Sequence, residues 1–236
     1  MTSDLLDLHG KDIVVTGATG GLGAAVVHVL LARGARCHLP MVEAQLPAHL
    51  GWATHDQVRP APRVTLEDEA GVSAYFASLP GLWASIHLVG GFSMAPIAET
   101  TLADFQKMHT LNAVTCFLCS REAVRTMRRG GGGGRIVNVA ARPVVSPVGG
   151  MSAYAAAKAA VAALTQTLAA ELQGEQILVN AVIPSIIDTP PNRAAMPAAD
   201  HASWPKPTEI ASAIGFLVSP ANVLTSGALV PVFGRA

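Results

Sequence analysis

A tyrosine and a lysine four residues apart, Tyr154 and Lys158, are the pair in this chain best suited to acid–base chemistry. Their spacing places both side chains on one face of a helix. A phenol has an ordinary pKa of about 10, and a nearby ammonium lowers that pKa because it stabilises the phenolate. We therefore predict that Tyr154 exchanges a proton with an oxygen or nitrogen of a small-molecule substrate.

A glycine-rich segment near the start of the chain predicts a phosphate site. Residues 16–23 (TGATGGLG) follow a short apolar run and precede a helical pattern. Gly17, Gly21 and Gly23 allow a tight turn and a close backbone approach to a ligand. The helix N-terminus presents unpaired N–H groups and a positive dipole to a phosphate. This strand–turn–helix context favours phosphate binding over an ordinary turn.

The elements that must position these residues alternate between strand-like and helix-like segments. This alternation predicts an α/β fold, a doubly wound parallel sheet with helices on both faces, and ligands of such sheets bind at the carboxyl ends of the strands. We expect a single domain over residues 1–236, with no internal repeat. The predicted strands are 11–16, 36–39, 84–89, 136–140 and 177–183, and the predicted helices are 22–33, 67–78, 102–128 and 152–172.

Two segments interrupt the alternation. Five consecutive glycines at 130–134 predict a flexible surface loop without chemistry. Residues 190–207 contain five prolines, and we expect this segment to be a loop that closes over substrate.

The composition excludes several classes of protein. Half of the 236 residues are hydrophobic, and 16 basic residues balance 16 acidic ones, which argues against a disordered chain and a nucleic-acid binder. No apolar run has membrane-spanning length, and residues 1–7 lack a signal pattern. Three cysteines make no disulfide framework, so we expect a cytoplasmic protein. The scattered histidines and the Cys116/Cys119 pair predict no metal site.

The spacing Thr-Gly-x-x-x-Gly-x-Gly, combined with Tyr-x-x-x-Lys downstream, resembles the short-chain dehydrogenase/reductase family. The resemblance covers nearly the whole chain, since segments 179–184 and 226–232 are also similar to family segments. It implies a Rossmann-type sheet of about seven strands and NAD or NADP as cofactor. It also implies hydride transfer to or from a small carbonyl, quinonoid or imine-like substrate.

The resemblance also implies roles for particular residues. Tyr154 would be the acid–base, Lys158 would tune it and hold the cofactor ribose, and Asn112 would hold a water relay. Besides Tyr154 and Lys158, the cofactor-binding residues that it implies are Gly17, Thr19, Gly21, Leu22, Gly23, Gly90, Pro184, Ile187 and Thr189. It selects neither NAD nor NADP, because Met41 stands where an acid would favour NAD and no basic residue replaces it.

The sequence departs from the family pattern at the catalytic serine. Ala141 stands at that position, and an absent donor typically costs on the order of 3–4 kcal/mol of transition-state stabilisation. Either Ser146 or Ser152 replaces the hydroxyl, or the substrate is reactive enough not to need it, or activity is lost. We favour the second explanation, because the dihydropteridine reductases of the family look similar in lacking this serine. The third predicts a dinucleotide-binding structural or regulatory protein with little catalysis.

Two further features bear on function. His87 stands in an altered fourth-strand motif, where we expect it to replace a structural amide rather than act as a catalytic base. The helix at 152–172 is apolar on nearly every side, which predicts a homo-oligomer, a dimer or a tetramer.

Overall fold

A parallel β-sheet of seven strands forms the centre of the computed structural model, which describes residues 6–235. The strand order is β3-β2-β1-β4-β5-β6-β7, and every neighbouring pair is parallel. The strands are β1 (Asp12–Thr16), β2 (Arg36–Pro40), β3 (Val58–Ala61), β4 (Ala84–His87), β5 (Gly134–Val139), β6 (Ile177–Pro184) and β7 (Leu229–Val232). Most of residues 1–7, on which the expectation of no signal segment rests, lie outside the described residues.

Helices cover both faces of this sheet, as the doubly wound prediction requires. They are α1 (Gly21–Ala32), α2 (Glu69–Ala77), α3 (Leu102–His109), α4 (Thr115–Arg129), α5 (Ser152–Glu171), α6 (Pro190–Ala195) and α7 (Pro207–Leu217). One core layer holds α1 and α7, and another holds α2, α4 and α5. The described residues therefore form one α/β domain, and its fold class is confirmed.

The strand order reverses between β1 and β4, and this reversal creates a crevice at their carboxyl ends. The central strands are apolar because both of their faces are covered, and Ile13, Val14 and Val15 of β1 are fully buried. The predicted glycine turn leaves β1 at this point. The fold therefore places the turn beside the ends of β4 and β5.

The predicted helix over 102–128 is not continuous. A π-helical segment, Thr110–Val114, separates α3 from α4. Such segments insert an extra residue into the helical turn and often occur at functional sites. Asn112 lies within this segment and is buried.

Three other elements differ from the sequence-based expectation. Strand β3 was not predicted, because it is only four residues long and contains Pro60, which disfavours a strand. Helix α7 was not predicted either, and it begins with Pro207 inside the proline-rich segment. That segment was predicted to be a loop, yet its first residues form the short helix α6, again with proline at the start.

The five-glycine segment is not entirely a surface loop, because Gly134 is buried and begins β5. A Cβ at Gly134 would lie 2.5 Å from Sδ of Met127, so α4 packs where a side chain would stand. No described helix is both long and apolar enough to cross a membrane.

Candidate active site

Two side chains and one glycine meet beyond the carboxyl ends of β4 and β5. Oδ1 of Asn112 and Nζ of Lys158 lie 2.5 and 3.2 Å from the point that a Cβ on Gly90 would occupy. Position 90 therefore has no room for a side chain. Because Gly90 has no Cβ, the Asn112 amide and the Lys158 ammonium can both lie against its backbone. Tyr154 lies one helical turn before Lys158 on α5.

Asn112 is held by the backbone around it. Its Nδ2 donates to the carbonyls of Met108 at 2.8 Å and Gly91 at 3.1 Å, and its Oδ1 accepts from the Gly91 N–H at 3.3 Å. Both N–H donors are thus used, and one acceptor lone pair on Oδ1 remains. The side chain positions the loop after β4 and leaves one site for a water or an ammonium.

Lys158 is buried, and its Nζ donates to the carbonyl of Val139 at 2.8 Å. Burial lowers the pKa of Lys158 to about 8, because it disfavours the charged form. Two of the three ammonium donors remain available to other acceptors.

Tyr154 is partly buried, and its ring meets the ring of Phe92 edge to face with centroids 5.0 Å apart. Burial raises the pKa of Tyr154 to about 12. The sequence-based expectation of a lowered phenol pKa is therefore wrong for the chain by itself. Nζ of Lys158 is 6.0 Å from the Tyr154 ring centroid, and at this distance its charge does not offset desolvation.

The glycine turn adopts a conformation that larger residues would prevent. Gly17 has a φ of +66°, and a Cβ on Gly23 would lie 2.0 Å from the Gly17 carbonyl oxygen. A Cβ on Gly21 would lie 3.1 Å from Cγ2 of Thr189, so the segment after β6 packs over the turn. No side chain caps α1, and its first turn carries no acid. The turn thus has the close approach and the helix terminus that a phosphate requires.

The other predicted cofactor residues lie around the same crevice. Pro184 is the last residue of β6, while Leu22 and Ile187 pack against the core below the turn. Thr19 has a partner that sequence reasoning missed: its hydroxyl donates to Oε1 of Glu43 at 2.9 Å. Glu43 lies beyond the end of β2, two residues after the expected acid position at Met41, and no local pattern predicts this contact.

His87 belongs to a buried polar network. Its Nε2 lies 2.8 Å from Oγ of Ser85, and its Nδ1 lies 2.8 Å from Oδ1 of Asn138. Asn138 in turn donates to Thr165 of α5 at 2.9 Å. Burial lowers the pKa of His87 to about 4, so the imidazole is neutral near neutral pH. These contacts support the structural role over that of a catalytic base.

The remaining candidates from the sequence offer no further reactive centre. Ala141 is buried at the end of β5 and has no hydroxyl. Cys116 and Cys119 are buried in α4, and burial raises the pKa of both thiols. Within residues 6–235, no three His, Cys, Asp or Glu side chains are grouped as metal ligands would be.

A parallel sheet with a glycine turn at its switch point is typical of the Rossmann-type, dinucleotide-binding class of protein. A family model described as short chain dehydrogenase matches residues 11–199. The chain therefore belongs to the short-chain dehydrogenase family, and its relatives are named dehydrogenases.

Several curated relatives span almost the whole chain. Cis-4-hydroxycyclohexanecarboxylate dehydrogenase of Sinomonas cyclohexanicum is 34% identical, with 94% of each chain covered. 2-Dehydro-3-deoxy-D-gluconate 5-dehydrogenase of Formosa agariphila is 30% identical over 99% of this chain and 95% of its own length. Among solved structures, a dehydrogenase/reductase from Sinorhizobium meliloti 1021 is 29% identical with a TM-score of 0.83, covering 98% of this chain and 96% of its own.

Proposed function

We propose that this protein is an NAD(P)-dependent oxidoreductase that transfers hydride to or from a small carbonyl, quinonoid or imine-like substrate. The observation that carries the proposal is the convergence of Asn112 and Lys158 around Gly90, one helical turn from Tyr154. Tyr154 is then the acid–base, Lys158 tunes its pKa and holds the cofactor ribose, and Asn112 holds a water relay.

The crevice suits a dinucleotide. Gly17, Gly21 and Gly23 give the turn the close approach that a pyrophosphate needs, and the uncapped start of α1 supplies N–H donors. Thr189 stands over the turn, and Lys158 has free donors for a ribose hydroxyl. A bound nicotinamide would give or take the hydride.

Tyr154 can act as an acid because its phenol is protonated near neutral pH. A phenol with a pKa of about 12 is protonated near neutral pH, and it therefore has a proton to donate to a substrate oxygen or nitrogen. The ammonium of Lys158 stabilises the phenolate that this transfer leaves behind.

The absence of a hydroxyl at Ala141 bears on the class of substrate and on whether the protein is an efficient catalyst. A substrate that accepts hydride readily, as a quinonoid or an iminium ion does, needs no hydroxyl at this position. Ala141 also favours a second candidate, a dinucleotide-binding structural or regulatory protein with little catalysis.

Glu43 favours NAD over NADP. Its carboxylate accepts from Thr19 in the glycine turn, and it is therefore near the place where the adenine-side ribose of a dinucleotide would lie. A carboxylate accepts hydrogen bonds from ribose hydroxyls and repels a 2′-phosphate.

The surroundings of the site fit a small substrate and a reducing compartment. Residues 190–207 close over the substrate, and the names of two relatives point to carboxylate-bearing substrates. Three buried free cysteines suit the cytoplasm.

Helix α5 exposes Ala156, Ala159 and Ala163. This flat surface suits a homo-oligomer, a dimer or a tetramer, and light scattering would measure its mass.

The chain contains two tyrosines, so the test has a matched control. Tyr154→Phe should lower kcat for reduction of quinones, pterins or carbonyls about a hundredfold or more, while calorimetry should still detect dinucleotide binding. Tyr75→Phe should leave kcat unchanged, because the buried Tyr75 hydroxyl has no hydrogen-bond partner. A loss at Tyr154→Phe below about tenfold would support the binding-protein alternative.

A further inference from the structure

An arginine with no anionic partner directly follows Ala141 in the chain. Arg142 begins a short 3-10 helix, Arg142–Val144, which packs against α5. Among residues 6–235, no carboxylate lies within 4.0 Å of its guanidinium and no acceptor binds it. Arg193, in the segment that closes over the site, is by contrast paired with Asp188.

The guanidinium of Arg142 is held in place without being neutralised. Its central carbon lies 5.2 Å from the ring centroid of Phe233, just after β7. The Phe233 carbonyl accepts a hydrogen bond from Ser185, just after β6, at 2.7 Å. An aromatic face removes water from one side of the cation and leaves its N–H donors free for an anion.

Exposed apolar side chains lie on the loop after β4 and on the loop that leads into α5, the helix that carries Tyr154. We define the apolar mouth as Phe92, Met94, Val145 and Val148, whose exposed fractions are 60, 58, 53 and 49%. The two loops that carry them are joined, because Ala95 N–H donates to the Gly150 carbonyl at 2.8 Å. Phe92 contacts Tyr154 itself. Exposed apolar groups grouped at a site indicate an apolar ligand surface.

We propose that the substrate is a carboxylic acid with an apolar skeleton and that Arg142 binds its carboxylate. The proposal rests on the proposed hydride transfer at Tyr154 and names the substrate class. A carboxylate matches one guanidinium in charge and in planar, bidentate geometry. A phosphate dianion would be left half neutralised, because Lys158 is committed to Val139 and to the reacting end.

This assignment also bears on the absent hydroxyl at position 141. Binding energy from a part of the substrate that does not react can orient the part that does. A carboxylate held by Arg142 would fix the reacting carbon relative to Tyr154, and the contribution of a donor at position 141 to that orientation would be smaller.

The first test measures binding without turnover. Cyclohexanecarboxylate, which has no carbonyl to reduce, should raise the melting temperature of the wild-type protein, and the neutral cyclohexylmethanol should not. Arg142→Met should abolish the shift, and Arg142→Lys should retain part of it. Arg59→Met, a change to an exposed arginine on β3, should keep the full shift. No acid-specific shift in wild type, or an equal shift in Arg142→Met, would overturn the proposal.

The second test uses turnover and separates this proposal from the proposed function. We expect the wild-type kcat/KM for an oxocyclohexanecarboxylate to exceed that for its methyl ester. Arg142→Met should lower the value for the acid about thirtyfold and leave the ester within about twofold. Equal losses for acid and ester would overturn the role of Arg142. If wild type reduces neither ketone, hydride transfer to ketones fails, and the binding test still decides the carboxylate site.

Discussion

Nζ of Lys158 lies 2.8 Å from the carbonyl oxygen of Val139, and this hydrogen bond ties α5 to the last residue of β5. The bond is made by the protein's own backbone, so the ammonium is in position before any cofactor binds. Asn112 is held similarly, by Met108 and Gly91. The backbone therefore fixes the side chains of Lys158 and Asn112.

Lys158 should set the alkaline limit of activity. Its pKa is lowered to about 8 by burial, so its charge is lost as the pH rises through that value. The phenol of Tyr154 remains protonated to about pH 12. We expect kcat for reduction to be constant up to about pH 7 and to fall above about pH 8.

A pH–rate profile measures this limit, with Lys158→Arg as the control. Arginine keeps its charge throughout the range, so whatever activity this variant retains should lack the decline near pH 8. A wild-type profile that stays flat to pH 10 would contradict the assignment.

Glu43 should select the cofactor. Glu43→Gln removes the negative charge beside Thr19 but keeps an acceptor for its hydroxyl. We expect wild type to prefer NADH, and the variant to gain affinity for NADPH about tenfold, as expected when a charge repulsion of about 1.4 kcal/mol is relieved. Calorimetric titration with both cofactors measures the ratio, and an unchanged ratio would separate Glu43 from cofactor choice.

Gly23 should tolerate no side chain. In Gly23→Ala the new Cβ would lie 2.0 Å from the Gly17 carbonyl oxygen, so the turn must move. We expect a loss of about 1–3 kcal/mol in the free energy of unfolding and a loss of dinucleotide binding. Gly20→Ala is the control in the same turn, since its Cβ would meet nothing closer than 3.4 Å. Equal thermal stability of the two variants would be inconsistent with this close contact.

His87 should contribute to the pH dependence of stability and not to catalysis. Burial lowers its pKa from 6.5 to about 4. Between pH 6.5 and about pH 4, His87 is protonated in the unfolded chain but neutral in the folded chain. The free energy of unfolding therefore falls as the pH falls. The expected loss is about 2 kcal/mol between pH 7 and pH 5.

Urea unfolding of His87→Asn tests this role. The amide can take up contacts with Ser85 or Asn138 and does not titrate, so the contribution of this site to the acid-side loss should disappear. Activity at pH 7 should stay within about twofold of wild type. A large loss of activity with unchanged stability would restore the catalytic-base interpretation.

Ala141→Ser tests whether the absent hydroxyl limits the reaction. One added donor should raise kcat/KM for simple ketones by about 10–100-fold, within what a single preorganised donor supplies. A quinonoid substrate should gain less, because it accepts hydride without that donor. Ala140→Ser is the neighbouring control, because Ala140 packs in a hydrophobic cluster and should gain nothing. No gain at Ala141→Ser with any ketone would show that the hydroxyl was not the limitation.

Local sequence patterns were sufficient to predict much of this protein. The apolar run before the glycines, the spacing of Gly17, Gly21 and Gly23, and the interval between Tyr154 and Lys158 all act over a few residues. Backbone geometry converts such patterns directly into a strand, a tight turn and a shared helix face. The doubly wound sheet followed from their repetition. Strand β3 and helix α7 escaped prediction because prolines mask their local signal.

Contacts between residues distant in the chain were decided only by the tertiary structure. The approach of Glu43 to Thr19 and the contact between His87 and Asn138 depend on how the elements pack. The same is true of pKa values: spacing suggested that Lys158 lowers the pKa of Tyr154, but burial raises it. Desolvation depends on every neighbour in space, and a sequence specifies those neighbours only through the completed fold.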